Sequence, residues 1–311
     1  MTIRYRMGIS EWGMLLGLSL LWGGSFFFNR LALRELPPLT VVMLRVGLGA
    51  LAMWLLLRLL RLSFPTGLRL WPAFMLMGLL NNVIPFTLIV WGQLHIASGL
   101  AAILNATTPL FSLLVGWLGV GGARPARRQL AGVVTGFGGV AVMTGVGLQS
   151  AAPSSLAGQL AVLGAALSYA CAGVYGRRFA VMGLNPLLTA CGQVSASALV
   201  LLPLTLFADR PWTLPSPNGV TWGAIAGLAL LSTALAYVLF FQLLARAGTL
   251  NLMLVTFLIP VSATLLGGLV LHERLQGTEL AGMVIILLAL IIIDGRLGRR
   301  LFRREASRSP P

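Results

Sequence analysis

The chain has no lysine: all 22 of its basic residues are arginine. A phosphate-binding GxxxxGK[ST] loop is therefore impossible, so the chain carries no ATP motor of that class. A Schiff-base lysine is excluded for the same reason. Acidic residues number only seven and histidines two. His95 and His272 stand alone, and no HExxH, no GxSxG and no carboxylate pair falls within an apolar run, so no constellation for an intramembrane enzyme is visible. Cys171 and Cys191 lie in apolar runs without CxxC spacing and read as small packing residues. The sequence implies neither a metal nor a cofactor. The net charge of +15 is spread singly between apolar runs rather than gathered on one face, which fits orientation in a membrane and not binding of nucleic acid.

What is present in quantity is apolar surface. Hydrophobic residues make up 58% of 311 positions, charged ones 9%, and the mean hydropathy is +0.92. These values describe an all-α polytopic membrane protein. About 20 helical residues cross the ~30 Å hydrocarbon core. Ten segments of that kind are predicted at about 12–32, 39–60, 70–93, 97–120, 128–148, 155–176, 186–207, 219–245, 249–271 and 278–293. The first lacks a small-residue cleavage site and reads as a retained helix rather than a signal peptide. Joining segments such as 62–69 and 121–127 are short and rich in Gly, Pro and Arg, with no room for a soluble domain. With the N-terminus inside, 17 arginines fall in cytoplasmic segments and four (Arg30, Arg34, Arg210, Arg274) on the other side, with Arg45 inside the second span. That asymmetry places both termini in the cytoplasm. The basic tail, 297–311, reads as a solvated end attracted to lipid headgroups. Most tryptophans mark span ends, whereas Trp22 falls near the middle of the first span.

The chain also resembles itself. TTPLFSLLVG, beginning at Thr107, matches LIPVSATLLG, beginning at Leu258, with Pro109 on Pro260 at an offset of 151. LRVGLGAL, from Leu44, lies on GQVSASAL, from Gly192, at offset 148, and Trp22 lies on Tyr169 at offset 147. Residues 1–149 and 150–296 are thus read as two five-helix repeats. Five is odd, so the second enters the membrane from the opposite side. Inverted repeats are the architecture of secondary transporters, with substrate sites near the midplane between the repeats.

LLWGGSFFFNRLAL from Leu20, the PP and MLR of the second span (Pro37, Pro38, Met43 to Arg45), the mid-helix proline of the fourth, and HERL (His272 to Leu275) followed by ELAG (Glu279 to Gly282) resemble the ten-helix exporters of the drug/metabolite transporter superfamily. The resemblance covers essentially the whole chain and is greatest to bacterial inner-membrane amino-acid exporters, including those for aromatic amino acids. It implies ten helices in two inverted repeats around a central cavity, with alternating access. Where the second half has HERL, the first has GGARP, so two gates built on this motif are chemically unlike.

Polar residues inside spans are the candidate site, because an amide in hydrocarbon is costly unless it finds partners or a wet cavity. LLNNVIPF carries Asn81 and Asn82 four and three residues before Pro85. The two side chains point ~100° apart on an α-helix and are not expected to share one contact. Pro85 removes the bond to the Asn81 carbonyl and is expected to kink the helix. Asn105, Thr107, Thr108 and Pro109 repeat the theme in the fourth span, Thr256 and Pro260 in the ninth, and the matched prolines are candidate gating breaks. Trp22, Tyr169 and Tyr237 are candidate stacking surfaces for an aromatic or apolar solute, with Ser25, Asn81, Asn82 and Asn105 meeting its amino and carboxylate groups. The glycine pairs Gly13–Gly17, Gly132–Gly136 and Gly223–Gly227 are read as close helix contacts. Arg45, about two turns into its span, reads as structural, near enough to snorkel or to bond carbonyls. Every acid sits at a span end or in a loop, which predicts facilitated diffusion or exchange rather than proton coupling. The expected cargo is an amino acid or similar small metabolite; other drugs or metabolites share the fold. The expected location is the inner membrane, and one chain suffices to form the two-fold site.

Overall fold

The structure is a computed structural model that describes residues 7–64, 67–119, 124–143 and 153–294. The basic tail, the boundary between the repeats and residues 144–148 of the fifth predicted span lie outside the described residues. Among those described there are helices and turns but no strand. We number the helical rods α1 (Ile9–Ala32), α2 (Pro38–Leu59), α3 (Trp71–Gly92), α4 (Ser98–Gly119), α5 (Arg127–Met143), α6 (Pro153–Val181), α7 (Pro186–Ala208), α8 (Gly219–Gly248), α9 (Val255–Val270) and α10 (Gly277–Asp294). Six of them, α2, α3, α4, α6 (from Ser155), α7 and α8, are long and apolar enough to cross a membrane, and α9 and α10 are shorter apolar helices.

Their boundaries follow from local chemistry. Pro38 and Pro186 occupy the first helical position of α2 and α7, where the missing N–H is no loss. Asn185 and Asn218 cap α7 and α8 by accepting from the N–H groups of Leu187 and Thr221. Between α8 and α9, Gly248 takes φ +74, a left-handed conformation that would strain a side chain and that ends α8 near its predicted limit. The rods are apolar nearly all round, as lipid-facing helices must be. One side packs inward, and the other leaves residues such as Leu51, Phe207 and Leu269 outside.

Each rod has definite neighbours. α1 lies on α9 and α6 on α4; α2 meets α8 and α3 meets α7; α1 also meets α8 and α3 meets α6; α2 pairs with α7, α4 with α9 and α5 with α10. Close backbone approach explains several glycines. A Cβ on Gly139 would meet the Gly282 carbonyl and one on Gly282 the Gly139 carbonyl, so α5 and α10 touch along their backbones. Gly132 and Gly136 also face close neighbours, and Gly227 lies against the Phe28 ring. The expectation for the other glycines fails: Gly13 and Gly223 face open space and Gly17 meets only an ordinary contact.

Two rods are wound abnormally. Residues Leu79–Val83 of α3 and Gly227–Leu235 of α8 form π-helix, with Ile84 N–H donating back to the Leu79 carbonyl. A π segment inside an α-helix is rare and often lies at a functional site. These two begin 148 residues apart, within the offsets of 147 to 151 at which segments of the sequence match. Pro85 follows the first; the second contains no proline, so the widening does not require one. The Leu80 carbonyl of the first segment accepts from Ser168 Oγ of α6 at 2.7 Å. α4 is broken at Ala106 and Thr107, one residue before Thr108 and Pro109 resume it. α9 runs unbroken through Pro260, and the interruption on its side comes earlier, at Met253 and Leu254.

Candidate functional site

The π segments bring polar side chains from α3 and α8 against α2 and α7. Tyr237 is the hub. Its hydroxyl accepts from Asn81 Nδ2 at 3.3 Å and from Gln193 Nε2 at 3.0 Å, and donates to Asn82 Oδ1 at 3.3 Å. Asn82 is fully buried and donates to Ser197 Oγ at 3.0 Å; Ser197 in turn donates to the carbonyl of Gln193 at 2.7 Å. Both asparagines thus reach one atom, contrary to the expectation from an ideal α-helix. The widened turn draws successive side chains closer in angle, and a hydroxyl can accept and donate at once.

Beside this cluster lies Arg45, 5% exposed. It does not snorkel. Its Nε donates to Thr233 Oγ1 of the second π segment at 3.2 Å, and its guanidinium carbon sits 3.8 Å from the centre of the Phe86 ring. Tyr169 and Tyr237 pack against the buried cluster that includes Phe86.

The other predicted residues scatter around this centre. Trp22 packs on Phe240, ring centres 5.5 Å apart, and Tyr237 on Phe241 at 6.1 Å. Among the described residues no ring contact joins Trp22 to Tyr169. Ser25 Oγ donates to the Trp22 carbonyl and Thr107 Oγ1 to the Leu104 carbonyl, so both hydroxyls serve their own chain. Asn105 Oδ1 is buried with no hydrogen-bond partner among the described residues. Pro85 and Pro109 each lie just beyond a helix irregularity, and Pro260 lies inside a regular helix.

Gln193, Ser197 and the contacts of Arg45 were not singled out from the sequence. The signal existed for two of them: Arg45 and Gln193 occupy the same position of LRVGLGAL and GQVSASAL.

A second polar group closes the end of the bundle that carries the α1–α2, α3–α4, α7–α8 and α9–α10 connections, here called the distal end. Three carboxylates cross between segments there, each satisfying N–H groups at a helix start that have no partner within their own helix. Asp209 accepts from Thr40 N at 2.7 Å and Thr40 Oγ1 at 2.8 Å. Glu35 accepts from Asn218 N and Nδ2, both at 2.8 Å, and Thr221 Oγ1 at 2.7 Å. Glu273 accepts from Ser98 N at 2.8 Å and Ser98 Oγ at 3.1 Å, and lies 3.6 Å from Arg30 Nε. The turn that aims Glu273 passes through His272 at φ +56, and Gly267 leaves the space its carboxylate fills, since a Cβ there would come 2.8 Å from Oε2. Beneath it, buried Gln93 accepts from Asn29 Nδ2 at 2.9 Å and donates to the Phe26 carbonyl at 2.8 Å. Two clefts open at this end, about 310 Å³ lined by Arg30, Arg34 and Glu273 among others, and about 370 Å³ along Gly99, Thr264 and Arg274.

Thr221 and the Asn218 N–H hold the Glu35 carboxyl below its usual range. Folded pKa below unfolded means that this contact stabilises above the unfolded value and is lost as pH falls through the folded one. The thermal stability of the parent in detergent is therefore expected to exceed that of Glu35→Gln near neutral pH. Acidification below the carboxylate range should erase the difference; a gap that persists there contradicts the contact.

Apolar rods, six of them long and apolar enough to cross a membrane, define the chain as a multi-pass membrane protein with polar residues in its interior. Comparison with known proteins agrees. The model of the EamA-like transporter family matches residues 11–145 and again 156–294, and the chain belongs to that family, within the drug/metabolite transporter superfamily. It is 30% identical to Protein PecM of Dickeya dadantii over 88% of each chain. It is 26% identical to the uncharacterized inner membrane transporter YedA of Escherichia coli (strain K12), over 96% of this chain and 95% of the other. A probable amino-acid metabolite efflux pump of Salmonella typhimurium is 28% identical, over 87% and 90%. One solved crystal structure superposes with a TM-score of 0.65 at 21% identity, covering 94% of this chain and 98% of its own, which shows the shared fold.

Proposed function

We propose that this transporter exports amino acids, aromatic or other neutral amphipathic ones favoured, across the inner membrane by alternating access. In this reading all ten rods span the membrane as two inverted five-helix repeats with both termini cytoplasmic. The observation that carries it is the Tyr237 cluster: amides and hydroxyls from α3, α7 and α8 converge on one interior point beside Arg45. The repeat reading is supported by the paired family match, by π segments 148 residues apart, and by helix pairings that persist when each rod is exchanged for the one five places away. The distal end, which the arginine asymmetry makes the outer one, is then a closed outer gate held by Asp209, Glu35 and Glu273. The amino-acid assignment draws on the resemblance and on the name of the Salmonella relative. A second reading, export of other small metabolites, shares the fold and differs only in cargo.

The acids of the described rods lie at helix ends, and transport is proposed to run as facilitated diffusion or exchange. The test is uptake by purified protein in liposomes of radiolabelled tryptophan, phenylalanine, threonine and an uncharged sugar, with external pH followed in parallel. Saturable amino-acid uptake without proton movement is expected. Movement of the sugar alone overturns the cargo, and substrate-dependent proton flux overturns the mechanism.

A further inference from the structure

We infer that Arg45 receives the carboxylate of the transported solute, so that the site selects a solute bearing one ionised carboxyl group, alone or within a zwitterion. This rests on reading the Tyr237 cluster as the transport site. A guanidinium taken out of water needs a counter-charge or a full set of acceptors. Arg45 has neither among the described residues. One nitrogen, Nε, is bonded to Thr233; no hydrogen bond is made by the two terminal nitrogens, which carry four N–H donors. The ion pair of the described residues joins Arg30 to Glu273 at the distal end, and Asp209 and Glu35 are engaged there as well. Phe86 covers a face of the guanidinium, while the donor fork is left to something else.

Polar atoms that are sealed in the interior without a partner do occur, at Asn29, Thr87, Asn105, Gln159 and Thr264, and the Arg45 nitrogens are not among them. They are unbonded yet not fully sealed. A planar fork of parallel N–H donors fits a carboxylate with two bonds.

Charge counting narrows the class. The repeat-equivalent position is Gln193, which is neutral, so the axis offers one positive charge and not two. One cation compensates a monoanion and leaves a dicarboxylate or a phosphate dianion with excess charge in a low-dielectric site. No carboxylate of the described residues waits for an ammonium group; only amide oxygens and tyrosines do. The amino group of an amino acid is thus tolerated by the site and not required by it.

The experiment is competition against labelled phenylalanine in liposomes containing the parent, Arg45→Gln or Arg45→Lys. Competitors are unlabelled phenylalanine and phenylalaninamide, which differ at the carboxyl group. A charge-assisted bidentate contact predicts that the amide competes at least about tenfold more weakly in the parent. In Arg45→Gln that preference collapses, and in Arg45→Lys part of it returns, a pattern that loss of packing alone does not produce. Equal competition by acid and amide in the parent, a comparison that needs no variant, overturns the inference; so does Arg45→Gln that folds and keeps the preference. If labelled phenylalanine does not move, labelled 3-phenylpropanoate replaces it. Saturable uptake of that acid with rejection of 3-phenylpropanamide retires the amino-acid cargo and upholds the Arg45 inference, and no uptake of either solute overturns both.

Discussion

Tyr237→Phe is expected to lower saturable uptake by at least about tenfold while leaving the helical fold intact. The change removes one oxygen and keeps the ring stacked on Phe241. That oxygen joins Asn81, Gln193 and Asn82. Its loss leaves Asn82 Oδ1 without its side-chain donor among the described residues, and each orphaned buried polar group costs roughly 1–3 kcal/mol unless water enters. If the cluster is a site that reorganises around cargo, the penalty falls on the loaded and occluded states. Initial uptake rates and circular dichroism, measured on the same preparation, separate the two effects. Parent-like uptake by a folded Tyr237→Phe protein places the site elsewhere.

Glu273→Ala is expected to open the distal end. The carboxylate holds the Ser98 N–H and hydroxyl and lies beside Arg30, so it ties the α9–α10 turn to the starts of α4 and the end of α1. Hydrogen bonds to charged groups contribute roughly 1.5–3 kcal/mol each where they are sheltered. The carboxylate is 13% exposed, sheltered enough to place its loss within that range, whereas Arg30 at 40% adds little. A shift of about 1.4–2.8 kcal/mol in a two-state equilibrium changes populations ten- to a hundredfold. Ala101, fully buried one turn along α4 from Ser98, reports this. In a background with Cys171 and Cys191 replaced by alanine, Ala101→Cys is expected to react with an impermeant maleimide about tenfold faster when Glu273→Ala is added. Unchanged labelling shows that the contact is not a gate.

Much of the fold was legible because a membrane leaves few choices. Apolar runs of fixed length must be helices, and the predicted spans overlap the observed rods within a few residues; even the end of α8 near 245 is marked by Gly248 at φ +74. The amides were legible too, since Asn81 and Asn82 stand out in LLNNVIPF, and Tyr237 joined them. What sequence could not reveal was their winding. An α-helix points the two asparagines ~100° apart, and in the π turn both reach Tyr237. That turn has no composition of its own: proline follows it in α3 and is absent from it in α8. Arg45 was read as structural, and only the snorkelling allowed for it fails, for a related reason. Its distance along α2 suggested an escape to the surface, whereas the partners that hold it inward, Thr233 and Phe86, come from other rods. Arg45 and Gln193 already stood at aligned positions of LRVGLGAL and GQVSASAL. The distal carboxylates were correctly placed at span ends, but the helix starts they satisfy lie on distant segments, out of reach of any local pattern.

The most direct measurement is an experimental structure of the purified protein saturated with phenylalanine. The account predicts ligand density against Arg45 and Tyr237, between α2, α3, α7 and α8, with its carboxylate toward the guanidinium. Density confined to the distal cleft beside Arg30, Arg34 and Glu273, or an Arg45 fork filled by protein groups while transport proceeds, would contradict it.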